Sequence, residues 1–223
     1  MRLIVVVATI FLNLYAWDGD KWGPMKREEI ISIAKKMIDS PWSPNKICRG
    51  WNVSYDPPEF YPGKTYYGML YTQNNPQENW EEFLAGITNL PYDYYGYWGT
   101  NNRWYNYYGT DCSGFVSICW KLPERYSTTL FYEDANGSRK YCSPLGSIGS
   151  SASVSLLSGD ALNSKGNHII LFSHYSTSNT IISLEQTPNN AKMREWYYSS
   201  LQNYQPIRRN LLLDKKKKGK GRI

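Results

Sequence analysis

The chain has 223 residues, enough for one domain with a sizeable core, and an ordinary share of charged side chains. Its net charge of +6 is concentrated at one end, where Lys215, Lys216, Lys217, Lys218, Lys220 and Arg222 carry it and leave the body near neutral. A near-neutral body excludes nucleic-acid binding by the folded part, which needs Lys and Arg clustered on a surface. At the other end, Met1-Arg2 leads into an apolar run from Leu3 to Ala16, broken only by Thr9 and Asn13. A short basic start and a stretch too short to span a bilayer comfortably read as a secretory signal peptide over residues 1–16. The protein is therefore expected to be secreted or held in the cell envelope, with residues 17–213 as one domain and 214–223 as a disordered basic tail.

After the signal, Pro24 leads into Ile30, Ile33, Ala34, Met37 and Ile38, an apolar face at helical spacing that Pro41 stops. Residues 41–75 are rich in Pro, Asn, Gly and Tyr and read as a long ordered loop. Asn75-Pro76-Gln77-Glu78 carries an N-cap, a proline at the first helical position and a capping-box glutamate. Trp80, Phe83, Leu84 and Ile87 form the stripe of the helix that should follow and end before Pro91. Residues 91–108 are dense in Tyr and Trp, which suits either a cleft wall or a loop packing its own aromatics.

Gly109-Thr110-Asp111-Cys112-Ser113-Gly114-Phe115 comes next, ahead of the apolar run to Trp120. Asp111 is a good N-cap, which makes Cys112 the first helical residue. The positive end of a helix dipole favours a thiolate there, and the thiolate is the reactive form. The alternative is a cysteine that only begins a core helix. Residues 122–157 look irregular, with a turn signal at Asn136-Gly137. The last third reads as strands: Ala161–Asn163, His168–His174, Thr180–Gln186, Trp196–Tyr198 and Ile207–Arg209. Helices early and an antiparallel sheet late make the fold class α+β.

Asp111-Cys112-Ser113-Gly114-Phe115-Val116 resembles the nucleophile motif of the NlpC-type papain-like cell-wall cysteine hydrolases of bacteria. Ser158-Gly159-Asp160-Ala161-Leu162, followed by Gly166-Asn167-His168-Ile169-Ile170-Leu171-Phe172, resembles that family's Gly-Asp strand and its histidine-led strand, in the family's order. Tyr67-Gly68-Met69-Leu70-Tyr71 resembles its Gly-x-Pro-Tyr segment, with Leu70 where proline is usual. The resemblance implies a papain-like fold, helices packed on a small C-terminal antiparallel sheet, and amide cleavage in the peptide stem of peptidoglycan. It implies Cys112 as nucleophile and Tyr71 beside the oxyanion. Asp111 and Ser113 join Tyr71 as candidate substrate-binding residues.

The residues themselves supply the rest of a triad. Only two histidines exist, and His168 opens an apolar strand after a turn, where an imidazole can serve as acid and base. His174 lies six residues along, roughly 20 Å away at ~3.3 Å per residue, and reads as structural. Glu185 or Gln186 on the next strand would orient His168. A four-residue turn over Ser176–Asn179 sets Glu185 opposite Ile170 and on the face of His168, while a one-residue slip selects Gln186.

No metal and no other cofactor is expected, because Cys-x-x-Cys is absent and the histidines are too far apart to share an ion. Among Cys48, Cys112, Cys119 and Cys142, the pair Cys48–Cys142 is the only attractive disulfide. The expected partner is a cell-wall peptide or glycopeptide acting on a monomer, with the basic tail able to touch anionic envelope polymers. Two rivals to the hydrolase are an acyltransferase or thioesterase on the same triad, and a non-catalytic wall-binding module.

Overall fold

The computed structural model describes residues 22–51, 56–74, 76–99 and 103–213. The expected signal peptide, the basic tail and the cap at Asn75 lie outside the described residues. Helix α1 spans Arg27–Asp39 and buries Ile30, Ala34, Met37 and Ile38, with Glu28 and Glu29 in its first turn and Lys36 in its last, each matched to the helix dipole. The described part of the segment after it is ordered, as its aromatics suggested, but it is not all loop. Strands β1 (Pro41–Trp42), β2 (Cys48–Arg49), β3 (Glu59–Phe60) and β4 (Tyr66–Tyr67) form two short ribbons, β1 with β4 and β2 with β3. Trp42 joins them, its ring 5.1 Å from both Phe60 and Tyr66.

Helix α2 covers Trp80–Thr88. It starts four residues later than the Asn75 cap implied, because the sequence repeats Asn-x-x-Glu at once. Asn79 accepts from the Glu82 N–H at 2.9 Å, and the Glu82 carboxylate accepts from the Glu78 N–H at 3.0 Å. The second box touches the apolar stripe directly, so the helix begins there. A ribbon of β5 (Tyr97–Trp98) and β6 (Trp104–Tyr105) precedes α3, Cys112–Cys119, all of whose residues are buried.

Residues 122–157 are not irregular throughout. Helix α4 runs Thr128–Asn136, capped by Ser127 accepting from the Leu130 N–H at 3.1 Å, and strand β7 covers Cys142–Pro144. Only Phe131 and Ala135 give α4 an apolar face, which left no helical period to read. The buried Asp134 carboxylate accepts from the backbone of Lys140, Tyr141 and Cys142 at 2.8–2.9 Å and joins α4 to β7.

Strands β8 (Ala161–Ser164), β9 (His168–Tyr175), β10 (Thr180–Gln186), β11 (Ala191–Tyr197) and β12 (Gln205–Arg209) complete a six-stranded sheet, ordered β11-β10-β9-β8-β12-β7, with every pair antiparallel. Helices α1 and α3 pack against β10, with α1 reaching β11 and α3 reaching β9, while α4 covers β7 and β8. The fold is thus α+β, four mostly N-terminal helices among the described residues on a C-terminal antiparallel sheet. Ile169, Leu171 and Leu184 belong to the main core with the helices, whereas Ile170, Phe172 and Ile181 belong to a smaller one with Leu201 and Tyr204. That alternation is the period of a sheet buried on both faces. All four cysteines are free; Cys48 sits in β2 opposite Phe60 of β3, and the Cys142 thiol meets the Phe131 carbonyl of α4, so the attractive pair is not joined.

Candidate active site

One wall of the site is the start of α3. Asp111 caps it from an extended backbone, its Oδ1 accepting from the Gly114 N–H at 2.7 Å and from the Ser113 hydroxyl at 3.1 Å. Its other oxygen forms an ion pair with Arg125. Just upstream, the Thr110 N–H donates to Leu70 at 3.0 Å and the Thr72 N–H to Thr110 at 3.1 Å, which ties residues 70–72 alongside the helix start. Gly109 makes the approach feasible. Its φ is +116°, and a Cβ there would sit 1.8 Å from the Leu70 carbonyl oxygen. The result sets Tyr71 beside Cys112.

The other wall is the β9–β10 hairpin. His168 opens β9, and its Nε2 lies 2.6 Å from Glu185 Oε2. The expected face-sharing of these two residues holds, but not by the expected turn. The first pair after the turn is Tyr175 with Ile181, which leaves five residues between them rather than four. Continued unbroken, that register would turn Glu185 away from His168. A β-bulge at Ser173 shifts it by one, since Ile182 pairs with His174 while Ser183 pairs with Phe172. From Leu184 opposite Leu171, the strand continues to Glu185 opposite Ile170. Gln186 points the other way and donates to the Met69 carbonyl at 3.0 Å.

The electrostatics follow from burial and pairing. Glu185 is fully buried, yet the Trp196 indole N–H donates to it at 2.9 Å and the Ser183 hydroxyl at 3.1 Å. Burial works to raise its carboxyl, and the bonds from His168, Trp196 and Ser183 outweigh it, so its pKa falls below the ordinary value. Burial would likewise depress His168. Hydrogen bonds to Cys112 and Glu185, with the negative charge of both, reverse that and push it up to about 9. Because Nε2 is occupied by Glu185, Nδ1 is the ring nitrogen left to meet the thiol. Tyr71 accepts from the Gln73 amide at 2.7 Å; burial first, then Cys112 and Asp111, raise its phenol far above the ordinary value, so it keeps its own proton to donate.

A cleft of about 270 Å³ opens between these walls, lined by Tyr71, Cys112, Asn167, His168, Gln186, Thr187, Pro188 and Arg194. Cys112 is 8% exposed there. Of the residues singled out from sequence, Cys112, His168, Glu185 and Tyr71 come together. The Asp111 and Ser113 side chains instead face each other in the cap behind the thiol. Asp160 of the Gly-Asp pair lies outside the cleft, fully buried between Arg27 and Arg208. His174 is exposed, and its ring meets the Ser173 hydroxyl at 3.0 Å. A larger cleft of about 720 Å³ lies beyond the Leu70–Asn190 bridge, lined by Tyr61, Tyr66, Tyr67 and Glu59 among others, and holds neither thiol nor imidazole.

Sequence reasoning missed Arg125, Trp196 and Arg194. The first two brace Asp111 and Glu185, and a pairing register for the last hairpin would have exposed Trp196. Among the described residues, no cluster of three His, Cys, Asp or Glu side chains stands ready to hold a metal ion. Comparison with protein-family models, with curated proteins and with solved structures returns no match for this chain.

Proposed function

We propose that this chain is an exported papain-like cysteine amidase that cuts an amide bond in the peptide stem of bacterial peptidoglycan. The observation that carries the reaction class is the His168–Glu185 pair at 2.6 Å, with a fully buried acid, in one cleft with a cysteine at a helix start. A thiol held only for packing needs none of these partners. The substrate class rests on the NlpC-like motifs around Cys112, Gly159-Asp160 and His168.

In this reading, the Cys112 thiolate attacks the carbonyl carbon and its S–C bond forms as the carbonyl becomes an oxyanion. The N–H groups of the first turn of α3 and the Tyr71 hydroxyl stabilise that charge. The His168 imidazolium gives its Nδ1 proton to the amide nitrogen, the C–N bond breaks and the free amine leaves. A thioester remains on Cys112. Neutral His168 then takes a proton from water, hydroxide adds to the thioester, and the C–S bond breaks to give the starting thiolate–imidazolium pair and a carboxylic acid, which loses its proton to solvent as the carboxylate product leaves. Glu185 holds the ring through both halves and balances its charge.

The test is digestion of purified peptidoglycan by wild type and Cys112→Ala, with products weighed by mass spectrometry. Wild type should release new amine and carboxyl ends, and Cys112→Ala should lose at least about 10⁴-fold in rate. Transfer of the acyl group to a second amine or alcohol would make the enzyme an acyltransferase instead. Equal product from both proteins would sink the nucleophile.

A further inference from the structure

Among the described residues, Arg194 is the one arginine or lysine that lines the cleft holding Cys112 and His168. Its surroundings differ from those of the other paired cations. Arg27 and Arg208 hold Asp160, Arg125 holds Asp111, and Arg49 holds Glu59, whereas Arg194 has no carboxylate partner among the described residues. Its guanidinium instead lies over the Trp196 ring, 4.4 Å from the centroid. That shelf is itself fixed, because the Trp196 N–H is bound to Glu185. Stacking on an aromatic face restrains the fork while leaving its N–H edges open, and a planar fork matches a carboxylate through two parallel bonds.

We infer that Arg194 is a specificity-determining residue that grips a free carboxylate of the substrate, so that the amide cleaved belongs to an acidic peptide carrying that carboxylate close to the scissile bond. This rests on the thiol chemistry proposed above and deepens it by naming the substrate's charge. Arg194 takes no part in bond breaking. Its contribution is to hold the carbonyl over Cys112 by an anchor on the β11 side of the cleft.

The test needs no natural substrate. N-(iodoacetyl)glycine and N-(iodoacetyl)glycinamide differ only in a carboxylate against a carboxamide, and iodoacetate and iodoacetamide repeat the comparison at shorter reach. Alkylation of Cys112 by each is followed by peptide mass spectrometry in wild type, Arg194→Gln and Arg194→Lys. Wild type should favour the carboxylate reagent, relative to a free small thiol, by about tenfold or more at one spacer length. Arg194→Gln should erase that preference and leave the neutral reagent's rate within about twofold, while Arg194→Lys keeps part of it. An acid-to-amide ratio that Arg194→Gln leaves unchanged at both lengths overturns the inference. Slow alkylation by the neutral reagents in wild type counts against the activated thiol instead, and the two failures are read from different columns of the same experiment.

Discussion

Asp160 and Glu185 are carboxylates of one sheet region, both fully buried and both in ion pairs. Their partners separate them. Asp160 receives Arg208 through two bonds, at 2.8 and 2.7 Å, and Arg27 at 2.8 Å, so it fastens α1 to the start of β8 and to β12. Arginine keeps its charge throughout the working range, and such a knot does not change state. Glu185 faces an imidazole, which can give and take a proton, at the edge of an open cleft. Equal burial therefore produces a fastener in one place and a device in the other. The difference lies in whether the partner titrates.

The sharpest way to break this comparison is to neutralise each acid in turn. Glu185→Gln keeps an acceptor beside His168 but removes the charge that balances the imidazolium. Its rate on peptidoglycan should fall about 10²–10⁴-fold, with unfolding free energy within about 2 kcal/mol of wild type. Asp160→Asn should do the reverse. It leaves two guanidinium groups facing a neutral amide and should cost about 3 kcal/mol in urea unfolding, with the rate per folded molecule unchanged within about twofold. Both guanidiniums keep some access to water, which holds the loss near the lower end for buried pairs. If the two variants exchange phenotypes, the assignment of fastener and device is inverted.

A smaller effect separates the two through pH. The folded His168 pKa is raised from 6.5 to about 9, so its stabilisation is complete below 6.5 and is lost as pH rises through 9. The folded Glu185 pKa is lowered from 4.5, so its stabilisation is complete above 4.5 and is lost as pH falls through the lowered value. The pair therefore contributes most between 4.5 and 6.5. The stability gap between wild type and Glu185→Gln, from urea midpoints, should be wider at pH 6 than at pH 9.5. A gap that stays constant across that range would show that the two groups titrate independently.

Much of this arrangement was legible in the residues, and the misses have physical causes. The cap at Asp111, the start of β9 and the hairpin all follow from local chemistry. Glu185 was chosen by a turn one residue too short, and the bulge at Ser173 adds back the residue the turn removes; no local pattern marks a bulge formed by Ser173. Arg194 and most of β11 were missed because Lys192 to Glu195 are all exposed on an edge strand, where the alternation of a half-buried strand disappears. Helix α4 was missed because two of its four buried anchors, Thr128 and Asp134, are polar, and Asp134 serves a turn rather than an apolar stripe. The site's walls come from segments about forty and over fifty positions away from Cys112, and that proximity was visible only as a resemblance of motif order.

The finest probe of the device is Trp196→Phe, which removes one hydrogen from Glu185 and keeps an aromatic shelf. The indole N–H reaches Oε1, the oxygen that also receives Ser183, while His168 uses Oε2. A single bond to a buried carboxylate is worth about 1–2 kcal/mol, so the rate should fall about five- to thirtyfold, through kcat rather than KM. Loss of packing alone could produce a similar fall, and the acid limb of the pH–rate profile distinguishes them. A carboxylate that loses a donor is less well stabilised in its charged form, so its pKa moves up. The acid limb should then shift to higher pH in Trp196→Phe, while a purely steric defect lowers the plateau and leaves the limb where it was. The same substitution at a ring that braces no acid, Trp120→Phe, loses its bond to the Gly159 carbonyl and should lower stability without moving the limb at all.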